Sequence, residues 1–398
     1  MEPVSGVIER LRRRIPVIGE TASVSLADAV GRVLSEPLVA PRDVPFAPLS
    51  LFDGYAMKAP VAAGERFVVS GRQFAGDPPS RLAPGTAMRI FTGALLPEGA
   101  DTVIAQESTA PDGDQAIRCT EALAAGAGVR QTGADTRKGE VLLPAGTRIG
   151  PAMIGLVAST GIGEVTVTRR PRVALLTTGD ELLAPGETFV PGKIFDANGP
   201  MLETLLHASG AEIVYRARLP DERDIIDARL REASDADLIV TSGGVSVGEA
   251  DLVRAGVEAL GRIDHWRVFL KPGKPMAVGE VLGTPFLGLP GNPVSTFVTF
   301  LLFVRTALET ASGQSDPGRL PTQPLPLATA RQGGDRPEYI RVRRVQREGR
   351  IVLEPYPDQN SGLLSSLAWA DGLALIPERV ELAAGDPVEF IAFKELGP

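Results

Sequence analysis

The stretch DLIVTSGGVSVGEADLVRAGVEAL, residues 237–260, decides how this chain folds. Its opening, DLIVTS, is a short apolar run and predicts a strand. Its close, LVRAGVEAL, carries apolar residues at helical spacing. Between them lie the adjacent glycines Gly243 and Gly244, the hydroxyl of Ser246, and the acids Glu249 and Asp251. A tight turn needs the glycines and does not need the acids. The same strand–loop–helix order recurs on either side. RVALLTT is followed by GDEL and the helical GPMLETLLHASG, and AEIVYRARL by the helical ERDIIDARLREAS. HWRVFLK, PMAVGEV and PFLGLP read as further strands, and a long helix runs from Val294 to about Thr310. This alternation predicts a mostly parallel sheet covered by helices, with ligands at the carboxyl ends of its strands.

Outside this unit the character changes. Residues 1–35 read as helical, with Ser25 as an N-cap, and Pro41, Pro45 and Pro48 then impose an extended segment. RFVVSGRQF, AMRIFTG and DTVIAQES are short β runs split by Gly, Pro and Asp, and PAMIGLVASTG is a helix opened by Pro151. Beyond the linker candidate GQSDPG, the runs YIRVRRVQ, RIVLEPY, GLALIPE and PVEFIAF predict a small all-β unit. The expected order is helical start, β insertion, α/β core and β tail.

Composition narrows the chemistry. The chain has 398 residues, 43% of them hydrophobic and 23% charged, which suits an ordinary globular protein of several domains. A net charge of −8 argues against nucleic-acid binding, which needs a positive surface. The run FVTFLLFV (297–304) is too short to cross a bilayer, which takes about 20 residues, so no membrane association is expected. No signal peptide is evident at the N-terminus. Cys119 is the single cysteine, so no internal disulfide can form, and a reducing, cytoplasmic setting is expected. His207 and His265 are the only histidines, and neither sits in a motif, which argues against a His-rich zinc site and a Ser-His-Asp triad.

Four loops at predicted strand ends carry the remaining chemistry. Gly243 and Gly244 allow close backbone approach to a ligand, and such a turn can present N–H groups to an anion; an ordinary turn capped by Asp251 is the duller reading. LPGNP (289–293) is a stiff turn with Asn292 as N-cap and Pro293 in the first helical turn. In KPGKP, Lys271 and Lys274 straddle Pro272 and Gly273, either as idle surface cations or as an oxyanion clamp. In TTGDEL, Asp180 and Glu181 offer oxygen ligands for a hard cation, unless they merely open a helix. Together, donors, lysines and carboxylates match what a phosphoanhydride with a bridging cation requires. No G-x-x-x-x-G-K-[ST] occurs, so this is not a P-loop NTPase.

DGYA at 53–56, IFTGA at 90–94, TGDEL at 178–182, SGGVSVGEAD at 242–251, KPGKP at 271–275 and LPGNPVS at 289–295 occur in this order. The combination closely resembles the molybdopterin molybdenumtransferase (MoeA) family, which includes the E domain of gephyrin. The resemblance covers essentially the whole chain; Phe52 stands where the family usually has methionine.

It implies a multidomain α/β protein with a mostly parallel core (171–315) and a C-terminal all-β domain (316–398). An inserted β-rich domain (43–137) would interrupt a mixed linking domain formed by 1–42 and 138–170. A homodimer is implied, its site lying between the α/β domain of one subunit and the inserted region of its partner. The implied reaction takes adenylyl-molybdopterin, supplied by a molybdopterin adenylyltransferase as upstream partner, together with molybdate, and releases AMP with Mg2+ as the cation.

The resemblance carries roles onto matching positions. Gly243, Gly244 and Ser246 would bind the pterin or its phosphate. Asp180, Glu181 and Asp251 would sit near the metal, the last two also acting in catalysis. Lys271, Lys274 and Arg267 would hold anionic oxygens, Pro290 and Pro293 would line the oxyanion pocket, and Asn292 would bind substrate. Asp53 and Thr92 would complete the site from across the dimer. Asp135, Asp221 and Ser366 are further candidates. Two rivals are a nucleotidyltransferase of the same α/β fold and a non-catalytic scaffold. The acids of DGYA, TGDEL and GEAD argue against the scaffold, and the β insertion and β tail against the nucleotidyltransferase.

Overall fold

The computed structural model describes residues 1–244 and 252–395. Its centre is a six-stranded sheet, whose strands are numbered here in chain order: β1 (Arg172–Thr178), β2 (Glu212–Leu219), β3 (Leu238–Ser242), β4 (Gly261–Arg267), β5 (Pro275–Val281) and β6 (Thr284–Leu289). The spatial order is β2-β1-β3-β6-β5-β4. The first four of these are mutually parallel, while β5 runs antiparallel to both neighbours. Because β5 reverses and β4 reverses again, the carboxyl ends of β1, β3, β6 and β4 share one rim. Each of the four loops picked out above follows one of those ends.

The central strand β3 is buried along its whole length, as a parallel strand covered on both faces should be. Alternate residues serve opposite faces. Val173, Leu175, Val240 and Leu287 pack toward the core helix Pro293–Ala311. Ala174, Leu176, Ile239 and Phe286 pack toward helices Arg223–Ala233 and Leu252–Leu260. The core helix, interrupted by a π-helical segment at Phe300–Val304, is longer than the apolar run within it suggested. Length and composition alone would allow it to cross a membrane, but 94% of its apolar window is buried inside the protein.

A second six-stranded sheet is built from strands between Gly54 and Cys119 around Met57, Phe67, Ile104 and Ile117. Gly54 has no substitute there, since a Cβ would lie 1.8 Å from the carbonyl oxygen of Ile104. The C-terminal sheet has five antiparallel strands between Gln323 and Ala392, around Ile340, Leu353, Ile376 and Phe390.

Two expectations need correction. Residues 1–35 are not helical throughout: the α-helix is confined to Val4–Arg14. Thr21–Ser25 is a strand paired with Glu164–Thr168, and Ser25 caps only a single 3-10 turn, accepting from the Asp28 N–H at 3.3 Å. The β-branched, alternating TASVS finds its partner more than a hundred residues away, a pairing that overrides local helical spacing. The strand read from HWRVFLK lies earlier, at Gly261–Arg267, where it completes its register with β5.

Candidate functional site

Two clefts open at the rim. The first, of about 350 Å³, lies over the ends of β1, β3 and β6. Its floor depends on glycine. Gly179 has φ +130°, and a Cβ there would meet the Glu181 carboxylate at 2.3 Å. Gly243 has φ +84°, and its Cβ would lie 2.7 Å from Thr178 Oγ1. These bare positions let two turns pack back to back while Glu181 lines the opening. Asp180 accepts the Asp221 N–H at 3.1 Å, which brings Asp221 to the same wall. The acids do not open a helix: Leu182–Leu183 pairs with Ile194–Phe195 in a short parallel ladder, and the next helix begins at Asn198. The Gly243 N–H is not free for an anion, because it donates to the Leu289 carbonyl at 3.0 Å and extends the sheet.

Asn198 was missed by motif reading. Its Nδ2 donates to Ser242 Oγ at 2.8 Å and to the Gly291 carbonyl at 2.7 Å, so one side chain ties helix, strand and proline turn together. The Gly291 carbonyl needs an N–H, which fixes the amide's orientation. Asn198 Oδ1 is buried with no partner among the described residues.

The second cleft, of about 610 Å³, lies between KPGKP, the start of the core helix and the C-terminal sheet. The backbone joins these parts, as Lys271 N–H donates to the Pro337 carbonyl at 2.9 Å and Tyr339 N–H to the Lys271 carbonyl at 2.8 Å. Lys271, Lys274, Arg331 and Arg336 face the carboxylates of Glu338 and Asp358. Glu338 is 5% exposed and takes Lys271 Nζ at 3.1 Å and Arg331 Nη2 at 2.9 Å. Burial pushes its pKa up, but the hydrogen bonds and charges of Arg331 and Lys271 outweigh this and hold it below the ordinary range. Arg331 Nε is buried without a partner among the described residues.

The turn 290–293 is the partition between the clefts. Gly291 and Pro293 face the first, and Asn292 faces the second. Asn292 occupies the N-cap position without a capping side-chain bond. Pro290 anchors the turn through its carbonyl, which accepts from Thr296 Oγ1 at 2.6 Å.

Other candidates lie elsewhere. Asp53 and Thr92 meet at the ends of two inner strands of the second sheet, both exposed and lining neither cleft. Asp135 is exposed, 4.0 Å from Arg130, and is also away from both. Arg267, exposed at the end of β4, lines neither cleft, and its carbonyl accepts the Glu2 N–H at 2.9 Å. Ser366 is wholly buried: it accepts from Arg341 Nε at 2.9 Å and donates to the Leu363 carbonyl at 2.6 Å. That makes it a support behind the second cleft, because Arg341 also holds the Asn360 carbonyl at 2.9 Å. Ser246, Glu249 and Asp251 lie outside the described residues. Among the described residues no group of three or more His, Cys, Asp or Glu is arranged to hold a metal.

Family comparisons cover nearly the whole molecule. Residues 3–161 match the MoeA N-terminal region (domain I and II), residues 174–310 a probable molybdopterin binding domain, and residues 326–393 the MoeA C-terminal region (domain IV). A Haemophilus influenzae protein named molybdopterin molybdenumtransferase is 34% identical over 397 residues, covering 97% of each chain. The chain belongs to the MoeA family. A Mycobacterium tuberculosis protein named molybdopterin molybdenumtransferase 2 is 35% identical over 403 residues, covering 96% of each. The MoeA crystal structure from Pyrococcus horikoshii OT3 superposes with a TM-score of 0.84 at 28% identity, covering 99% of this chain and 100% of that one. On the MoeA scheme, the first cleft falls within the probable molybdopterin binding domain. The second is shared between that domain and domain IV. The Asp53–Thr92 pair belongs to the N-terminal region.

Proposed function

We propose that this MoeA-family chain is a molybdopterin molybdenumtransferase, moving molybdenum from molybdate to adenylyl-molybdopterin with release of AMP. One observation carries the reading: two clefts of opposite hydrogen-bonding character share the wall 290–293. The first is lined by Glu181, Asp221 and Asn198; the second by Lys271, Lys274, Arg331 and Arg336, with Glu338 and Asp358 opposite them. The second suits molybdate, a tetrahedral oxyanion. The first suits the pterin nucleotide.

Molybdate and a diphosphate are both anions and repel one another. Lys271, Lys274 and Arg331 offset that repulsion on one side of the partition and hold molybdate beside the dithiolene sulfurs. A divalent cation bound mostly by substrate oxygens and water needs only one or two protein carboxylates. Glu181 and Asp221 in the first cleft are such a pair, which suits Mg2+ although no larger acid cluster is described there. When bound, Mg2+ would supply charge neutralisation at the diphosphate. No protein nucleophile is required.

A homodimer belongs to this reading. Asp53 and Thr92 lie apart from both clefts of their own chain, and a second copy would bring them to a cleft. The upstream reaction must supply an adenylylated pterin, the work of a molybdopterin adenylyltransferase, and the setting is the cytoplasm. The test is incubation with adenylyl-molybdopterin, Mg2+ and molybdate, following AMP. AMP release that depends on molybdate supports the reading; none with the purified protein sinks it.

A further inference from the structure

The first cleft has one wall unlike the rest. Most of its lining is hydroxyl, carboxylate and bare backbone, but Ile194 and Phe195 also line it. Both are largely open to solvent, Ile194 at 58% and Phe195 at 44%. Phe189, also exposed, stands behind Phe195 with ring centroids 6.3 Å apart. Exposed apolar groups are ordinary when scattered, but neighbours lining one cleft beside carboxylates point to an apolar ligand face.

Their position is fixed by the backbone. The Ile194 N–H donates to the Glu181 carbonyl at 2.8 Å, and the Asp196 N–H to the Leu183 carbonyl at 2.8 Å. Asp196 is buried and accepts the Gly199 N–H at 2.8 Å, so the chain leaving Phe195 is locked into the next helix. The backbone thus holds Phe195 beside the acid turn.

We infer that Phe195, with Ile194, is a stacking platform for the planar nitrogen heterocycle of the substrate. This rests on the transferase reading and adds a positioning role to residues outside its motifs. The substrate carries two such rings, pterin and adenine, and both offer a π-face to an aromatic side chain. Glu181 and Asp221 in the same cleft would then lie toward the polar edge or the bridging diphosphate.

The experiment uses the full chain without molybdate, so that binding is read apart from turnover. Free pterin and AMP are the probes, titrated separately into wild type, Phe195→Ser and Phe195→Trp. Loss of the ring is expected to weaken one probe on the order of 10-fold or more, with Trp restoring it; the probe affected identifies the ring. In turnover, Phe195→Ser should raise the KM for adenylyl-molybdopterin and leave kcat near wild type. If both probes bind all three proteins alike, or neither binds wild type, the platform is wrong. A change in oligomeric state without a change in ring affinity also overturns it, assigning the patch to a second copy of the chain. AMP release failing in wild type would strike the transferase reading; unchanged ring binding strikes only this one.

Discussion

The backbone N–H and the hydroxyl of Thr92 converge on a single oxygen of Asp53, at 2.8 and 2.7 Å. The backbone bond is the larger influence and the hydroxyl the next. With the charge of Arg89 they outweigh desolvation and hold the Asp53 carboxyl below its ordinary range. Thr92→Ala removes one of these bonds, so the Asp53 pKa should rise toward its unperturbed value. If Asp53 acts ionised, the acid limb of the turnover profile moves to higher pH in Thr92→Ala. Carboxyl titration by NMR should show the same direction; no movement of either would remove Thr92 from the site.

Sharing of the site between copies makes a mixing prediction. Asp53→Ala and Lys274→Ala should each abolish most AMP release. After subunit exchange, a mixed dimer carries one intact site. With random pairing, about a quarter of wild-type activity should return. A mixture as inactive as its parents would mean that both residues serve one chain's site.

Ser366 separates support from substrate contact. Ser366→Ala leaves the buried Arg341 Nε without its acceptor, which should lower stability by about 1–3 kcal/mol. Turnover at saturating molybdate should stay near wild type. Denaturant titration and steady-state kinetics on the same preparation check both halves, and a large fall in kcat without destabilisation would restore Ser366 to the substrate set.

Glu338 predicts a pH dependence of stability. Its folded pKa is depressed, so its contribution is present above the unfolded glutamate pKa and is lost as pH falls through the folded value. Glu338→Gln breaks a largely buried pairing with Arg331 and Lys271 and should cost about 2 kcal/mol at neutral pH, less than a fully buried pair because Lys271 is half exposed. The Tm gap between wild type and variant should close on acidification. A gap that stays constant would show that charge is not the cause.

Much of the α/β unit was legible because its rules are local. Apolar runs such as RVALLTT and DLIVTS end at Gly or Pro, and those ends form the rim. The loops KPGKP and LPGNP were found as motifs and do line a cleft. What escaped depends on distant pairing. TASVS is a strand because Glu164–Thr168 lies beside it, and Asn198 matters because Ser242 and Gly291 come within reach of its amide. Arg331, Arg336 and Glu338 join the lysine turn through the backbone of a separate sheet. Their only signal was a charge-rich stretch, RQGGDRPEYIRVRR, that runs into a strand. The free N–H expected at Gly243 was lost for the same reason, since its acceptor belongs to the end of β6.

The thin partition at residues 290–293 also bears on inhibition. Gly291 and Asn292 are consecutive yet belong to different chambers, so the two chambers are one residue apart along the chain. A synthetic molecule with a flat heterocycle at one end and a tetrahedral oxyanion at the other could straddle that ridge and grip both chambers at once. Its connector need span only the thickness of a single turn, and each half would hold the other at high local concentration.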